Sequence, residues 1–349
     1  MEVTMNAGFL TLALLFATAI ISLKGYTAQP PLDLQSIKSI KHQYSCFSAE
    51  FSSYDSWLEF VRARKEAQFK RQGVENIAAE LEKFETYFTT TFQRASFDSA
   101  KEDLDCRFLT YVVDGQEIHG VLIVPKKSLK QAEKIPVIIY NRGGTRNLGS
   151  LVFGHVAYEL FPLAQQGFAI IASNYRKDEQ YGADNINEVT ALFSIIESIP
   201  ALKADKVGVY GVSRGGLTSW QLAKAVPEKI AAIATVNGVT DSRLWAGNRA
   251  GIQNNISLVD GYKDNPDEIF NRLSPVKWVE QISAAPILLL HSRDDETVNV
   301  MHSIRFSEQL ISNNRFFRMK IFEDGDHDLA GRKDEARDEL IQWFSRYIK

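Results

Sequence analysis

A serine bracketed by glycines, Gly211-Val212-Ser213-Arg214-Gly215, ends a short β-branched run, Lys206 to Gly211, and opens a stretch that reads as a helix from Arg214 to Ala225. Strand, sharp turn and helix in that order project a hydroxyl from a strained turn. The flanking glycines are needed because a Cβ there would strike the neighbouring strand or helix. The chemistry open to such a hydroxyl is nucleophilic attack on an acyl group. Serine alone is a poor nucleophile near neutral pH, so it needs an adjacent base, and the base needs an acid to orient it. Because G-x-S-x-G also arises by chance in glycine-rich turns, those partners decide its meaning.

Both partners can be sought at strand ends, since ligands of a parallel sheet bind beyond the carboxyl ends of its strands. Of six histidines, only His327 follows the last strand-like run, in Lys320-Ile321-Phe322-Glu323-Asp324-Gly325-Asp326-His327-Asp328. His42 and His119 precede the parallel strands, His155 and His302 fall on expected helices, and His291 ends a strand of its own. That strand, Leu288-Leu289-Leu290-His291, runs through Ser292 and Arg293 into three consecutive acids, Asp294, Asp295 and Glu296. Ser213, one of these acids and His327 as general base are therefore expected to converge, in the chain order Ser, Asp, His of the α/β-hydrolase arrangement.

The tetrahedral intermediate also needs donors for its oxyanion. One is expected to be the backbone N–H of Arg214. The other is expected from Asn141-Arg142-Gly143-Gly144-Thr145, after the strand ending at Tyr140, where Gly143 and Gly144 let backbone donors approach. The Asn141 amide is a further candidate donor, or else a cap for the turn. Arg142 and Arg214 beside the cleft hint at an anionic substrate group, but structural salt bridges to the many acids are the favoured reading.

Positioning these residues requires alternating strands and helices. Cys106–Val113 and Ile118–Val124 form a hairpin about Asp114-Gly115. Strands follow at Ile135–Tyr140, Phe168–Ser173, Lys206–Gly211, Ile230–Val236, Pro286–His291 and Phe316–Phe322, eight in all. Helices are expected from His155 to Gln166, from a cap at Asp184 to Pro200, over Met301–Ser312 and over Asp334–Tyr347. This is an α/β fold with a mostly parallel sheet covered on both faces. Residues 105–349 read as the catalytic domain and 29–104 as a helical segment. In that segment Ile77, Leu81, Phe84 and Phe88 share one face, and Gly73 divides Asp55–Phe92 into two helices. Residues 239–283, with Trp245, Asn254, Asn255, Tyr262 and Trp278, read as a lid-like insertion that contacts substrate.

The composition narrows the function further. With 40 Lys and Arg scattered among 43 Asp and Glu and a net charge of −3, nucleic acid is not an expected partner. Residues 1–28, with an apolar stretch from Gly8 to Ile21, read as a secretory signal, which implies a secreted or periplasmic protein. If the segment is uncleaved it is a membrane anchor. Cys46 and Cys106 are then either one disulfide, which an exported chain favours, or two buried thiols. Asp324, Asp326, Asp328 and Glu335 partly mimic a calcium loop, but Leu329 stands where the sharp turn demands glycine and Arg332 and Lys333 add cations, so no metal is expected.

Taken together, these pieces resemble the catalytic domain of the prolyl oligopeptidase type, which includes dipeptidyl peptidases and acylaminoacyl peptidases. The resemblance covers Cys106 to Lys349. It rests on Tyr140-Asn141-Arg142-Gly143-Gly144, the elbow with Gly215-Gly216, Leu273-Ser274-Pro275, Asp295-Glu296-Thr297-Val298 and Asp324-Gly325-Asp326-His327. It implies an eight-stranded α/β-hydrolase fold and a serine hydrolase that needs no cofactor. The family places its acid four residues after the strand-end histidine and three before a valine, which selects Asp295 over Asp294. Three departures stand out: Arg142 where the family often has histidine, Arg214 after the nucleophile, and Ser292 where glycine is usual. The propeller with which family peptidases select peptides has no counterpart in the residues before Cys106. The expected substrate is thus a short peptide or an ester, with a carboxylesterase as the alternative enzyme and a non-catalytic binding protein on the same fold as the alternative of another class.

Overall fold

The computed structural model describes residues 32, 34–176, 181, 185–247 and 249–349. The signal-like segment 1–28 and the expected cap at Asp184 lie outside them. One sheet runs in the order β1-β2-β3-β5-β4-β6-β7-β8-β9. Its strands are β1 (Ile40–Ser45), β2 (Leu104–Val113), β3 (Gln116–Pro125), β4 (Val137–Asn141), β5 (Ala169–Ser173), β6 (Val207–Val212), β7 (Ile230–Val236), β8 (Ile287–Ser292) and β9 (Phe317–Phe322). The pairings of β1 with β2, β2 with β3 and β3 with β5 are antiparallel, and those of β4 through β9 are parallel. This is the expected α/β-hydrolase sheet with nine strands in place of eight.

The extra strand, β1, belongs to the segment read as helical. Its sequence, IKHQYS, lacks an apolar alternation because it forms a sheet edge with His42 and Tyr44 exposed. It is tied to β2 twice. Its register runs to Ser45 opposite Arg107, and directly beyond it Cys46 forms a disulfide with Cys106, Cα to Cα 5.3 Å. The two thiols left open by the sequence are therefore one bond.

Strand alternation feeds two cores. In β4, Ile138 and Tyr140 face one helical layer while Val137 and Ile139 face the other, as the period of two requires. The first layer holds α1 (Tyr54–Gln72), α2 (Ile77–Thr91), α3 (Arg94–Asp103) and α12 (Lys333–Tyr347), with α4 (Phe153–His155), a π turn (Val156–Leu160) and α5 (Phe161–Ala164) running on from one another. Gly73 ends α1 at φ 70°, a left-handed cap, as the break in the periodicity implied. Leu81, Phe84 and Phe88 bury the α2 face. Trp57 stacks or meets edge-on with Phe88, Phe92, Phe97 and Phe153, which fastens the N-terminal helices to α4. The second layer holds α6 (Asn185–Glu197), α7 (Arg214–Ala225) and α11 (Met301–Ser312).

Between β7 and β8 the interval read as irregular is helical: α8 (Ser242–Ala246), α9 (Ala250–Ser257) and α10 (Pro266–Arg272). Each helix is too short for a periodicity to show in the sequence. Trp245, Ile256, Val259 and Ile269 give them a small core of their own, continued by Leu217 and Val298 from the main domain. Trp278 instead packs into the second main core, 5% exposed, and is not a surface residue of the insertion.

Candidate active site

Ser213 occupies the turn between β6 and α7 with φ 56° and ψ −125°, a backbone state that costs a non-glycine residue of order 1–3 kcal/mol. Its surroundings hold it there. The Ser213 N–H donates to Val236 O at 2.9 Å, and its carbonyl accepts from Gly216 and Val239. At Gly215 a Cβ would overlap the carbonyl of Asn141, so α7 starts flush against the end of β4. That close approach is what the second glycine of the pentad provides.

Three strand ends then bring their side chains together. His327 Nε2 lies 2.8 Å from Ser213 Oγ, and His327 Nδ1 lies 2.7 Å from Asp295 Oδ2. A carboxylate only accepts, so Nδ1 carries the proton and Nε2 accepts from the serine hydroxyl. The other oxygen of Asp295 accepts the N–H groups of Thr297 and Val298, both at 2.8 Å. Asp295 is 2% exposed, whereas Asp294 turns outward to Arg293, whose guanidinium holds that carboxyl below its ordinary range. The choice between the adjacent acids is thus a matter of direction: one carboxylate faces the histidine and its neighbour faces solvent.

The sequence did not single out the groups that brace this relay. His291 Nε2 donates to Val298 O at 2.7 Å, so its Nδ1 accepts from Ser303 Oγ, and the loop bearing Asp295 is closed on the strand that launches it. Burial pushes the His291 imidazole below the usual histidine range. Asn237, directly after β7, donates from Nδ2 to His327 O at 2.7 Å and accepts Ser292 N–H at Oδ1. Ser292, where the resemblance leads one to expect glycine, donates to Gly325 O at 2.6 Å and ties the acid strand to the histidine loop. The available signal was position: Asn237 and Ser292 sit at the same carboxyl edge as the site.

Below the elbow, the π turn places Glu159 between two elements of the site. Its carboxylate accepts from Tyr210 of β6 and pairs with Lys333 at 2.8 Å. Burial alone would raise the Glu159 carboxyl, but Lys333 and Tyr210 hold it down to about 2. Leu329, fully buried at φ 56°, pins the same histidine loop into the first core.

The expected oxyanion donors divide. The Arg214 N–H begins α7, where no intrahelical acceptor exists. Gly143 lies against Ser213, since a Cβ on it would sit 3.1 Å from Ser213 Cβ, and Gly144 follows at φ 70°. Asn141 is different. Its Nδ2 donates to Ser219 Oγ at 3.0 Å beneath the elbow, so the amide ties α7 to β4. The guanidinium groups of Arg142 and Arg214 are buried as well. Each arginine is 1% exposed and packs over the ring of Tyr175, at 4.8 and 4.5 Å, rather than facing solvent as an anion receptor. The acids of the calcium-like segment are likewise engaged locally. Asp324 accepts from Arg332, Asp326 from the N–H groups of Asp328 and Ala330, and Glu335 pairs with Lys320. Among the described residues, no group of three or more His, Cys, Asp or Glu is arranged to hold a metal ion.

A parallel sheet with a serine on a strained strand–helix turn and a histidine and acid on the next strand ends defines a protein of the α/β-hydrolase class. Residues 154–349, more than half of the chain, match the model of the prolyl oligopeptidase family, and the chain belongs to that family of serine peptidases. The chain is similar to an uncharacterized peptidase, YtmA, of Bacillus subtilis, 25% identical over 226 residues that cover 62% of this chain and 84% of that protein. It is 24% identical to the acylamino-acid-releasing enzyme of Rattus norvegicus over 243 residues, 63% of this chain but 32% of the rat protein. In three dimensions it superposes on an acylaminoacyl peptidase of Pyrococcus horikoshii with a TM-score of 0.62 at 20% identity, covering 71% of this chain and 42% of the archaeal one. The chain thus spans most of the Bacillus relative and about a third of the rat enzyme.

Proposed function

We propose that the chain hydrolyses the peptide bond of a short peptide through an acyl-enzyme formed on Ser213. The observation that carries this reading is the unbroken hydrogen-bonded chain from Ser213 Oγ through His327 to Asp295. His327 Nε2 takes the hydroxyl proton as Oγ attacks the carbonyl carbon, and Asp295 holds the imidazole in the accepting tautomer and stabilises its cation. The N–H of Arg214 and a backbone N–H of the Gly143–Gly144 loop receive the oxyanion. His327 then passes its proton to the leaving amine. Water, activated by the same nitrogen, releases the acyl group.

Family membership and relatives named as peptidases support a peptide over an ester. A panel of peptide p-nitroanilides, free or N-acylated, and p-nitrophenyl esters of graded acyl length tests this choice. The proposal requires amide turnover that rises with side chains on the acyl side and vanishes in Ser213→Ala. Ester turnover with no amide turnover across the panel would replace the peptidase by a carboxylesterase.

We also propose that the chain is exported. The Cys46–Cys106 bond supports an oxidising compartment, and the apolar N-terminal sequence supports a signal. Thiol counting under denaturing conditions on protein taken from its native host tests this: no free thiol is expected, and two would contradict it.

A further inference from the structure

Arg142 follows β4 directly, and its guanidinium is enclosed by the loop it introduces. Nη1 donates to Gly143 O at 3.0 Å and to Leu148 O at 2.9 Å. Nη2 donates to Arg146 O at 2.9 Å and to Asn174 O at 2.6 Å, and Nε reaches Asn174 O at 3.2 Å. The Tyr175 ring covers the cation at 4.8 Å, while its hydroxyl donates to Arg142 O at 3.3 Å. A guanidinium offers five N–H groups in one rigid plane, and these five contacts use that fork as a mould for four carbonyls. The loop around it is tightly coiled, with Gly144, Arg146 and Gly149 all at positive φ. A Cβ on Gly144 would overlap Leu148 O, and one on Gly149 would lie 2.6 Å from Gly143 O.

The direction of these carbonyls has a consequence for the peptide beside the nucleophile. In a planar trans peptide the C=O of one residue and the N–H of the next point to opposite sides. Drawing the Gly143 carbonyl onto Nη1 therefore turns the Gly144 N–H away from the guanidinium. The residue on which this peptide pivots, Gly143, is the one whose Cβ would stand 3.1 Å from Ser213 Cβ and 3.7 Å from Ser213 Oγ.

We infer that Arg142 is a positioning residue for the acyl-transfer step: its guanidinium holds the Gly143–Gly144 peptide so that the Gly144 N–H is the second oxyanion donor. This rests on the reading of Ser213 as nucleophile. It also accounts for a cation standing beside the elbow without contact to solvent. A lysine, with three donors on a single nitrogen, cannot form the planar fork and is not a substitute.

Arg142→Lys and Arg142→Gln, each checked for folding by thermal melting, are compared with the parent on the best p-nitroanilide and on a peptide boronic acid, which forms a tetrahedral adduct. Loss of one oxyanion donor predicts a fall in kcat of about 10²–10³-fold with KM nearly unchanged, and an equal loss of boronate affinity while a non-covalent peptide binds as before. A folded variant within about threefold of the parent kcat, or one that weakens both ligands equally, overturns the inference. Hydrogen exchange on the parent gives a test free of any folding defect: the Gly144 amide is expected to become protected when the boronate binds, and unchanged exchange overturns the inference. A parent that hydrolyses the substrate equally well as Ser213→Ala would instead remove the nucleophile reading, and this inference with it.

Discussion

Asp295 meets His327 with one carboxylate oxygen, at 2.7 Å, while its other oxygen is saturated by the backbone N–H groups of Thr297 and Val298. The acid is thereby fixed by the chain that follows it, and it presents a single lone-pair direction to the imidazole. Substitution of this acid by Asn keeps the shape but offers an N–H where an acceptor is needed, or forces the wrong histidine tautomer. Asp295→Asn is expected to lower kcat by about 10³–10⁴-fold on any hydrolysed substrate. Asp294→Asn, altering a side chain that faces Arg293 at the surface, is expected to leave kcat within about twofold. Steady-state kinetics of the two variants check this, and the reverse order would move the acid to Asp294.

The pair formed by Glu159 and Lys333 joins the π turn to the helix that begins six residues beyond His327. Removing one partner leaves a largely buried charge uncompensated, so Lys333→Met is expected to cost about 3 kcal/mol of stability. The double variant Glu159→Gln/Lys333→Met removes both charges and is expected to be more stable than the sum of the single losses predicts. Urea unfolding of the four proteins measures the coupling, and strictly additive losses would show that the pair does not act as a unit.

Acid sensitivity has a defined window. Burial, reinforced by His291, lowers the His302 imidazole to about 3, and burial lowers His155 to about 4, both from 6.5. The unfolded chain therefore binds protons that the native state refuses. Stability is complete above about pH 6.5 and is lost as pH falls from there toward the folded values, by up to about 1.4 kcal/mol per pH unit for each histidine. Glu159, held at about 2 against 4.5, adds a further loss only below about pH 4.5. Urea midpoints between pH 7 and 4.5 should decline, and His302→Gln should flatten the slope by about one proton. A flat profile in the parent would contradict the burial of these imidazoles as neutral groups.

Much of the site was legible because its chemistry lies at strand ends. Ser213 and Asp295 each follow an apolar run that reads as a buried strand, His327 follows the alternating strand Phe317–Phe322 at the sheet edge, and the parallel sheet does the rest. The elements of the catalytic region were legible for the same reason, with limits shifted by a residue or two. What escaped has a physical cause in each case. The β1 strand is polar because it is an edge. The α8–α10 helices are too short to display a period. The contacts of Asn141 and Arg142 depend on partners such as Ser219 and Asn174, which are distant in sequence, so residue type alone left Asn141 open as donor or cap and Arg142 open as substrate contact or structural brace. His291, Asn237 and Ser292 hold the relay through backbone carbonyls and amides, which leave no imprint on residue type.

His327 is proposed to activate Ser213 within the folded protein. Labelling with a fluorophosphonate, followed by proteolysis and mass mapping, tests it most directly. One adduct is expected, on the peptide containing Ser213, abolished by heat unfolding and by His327→Ala. An adduct on another residue, or none in folded protein, would contradict it.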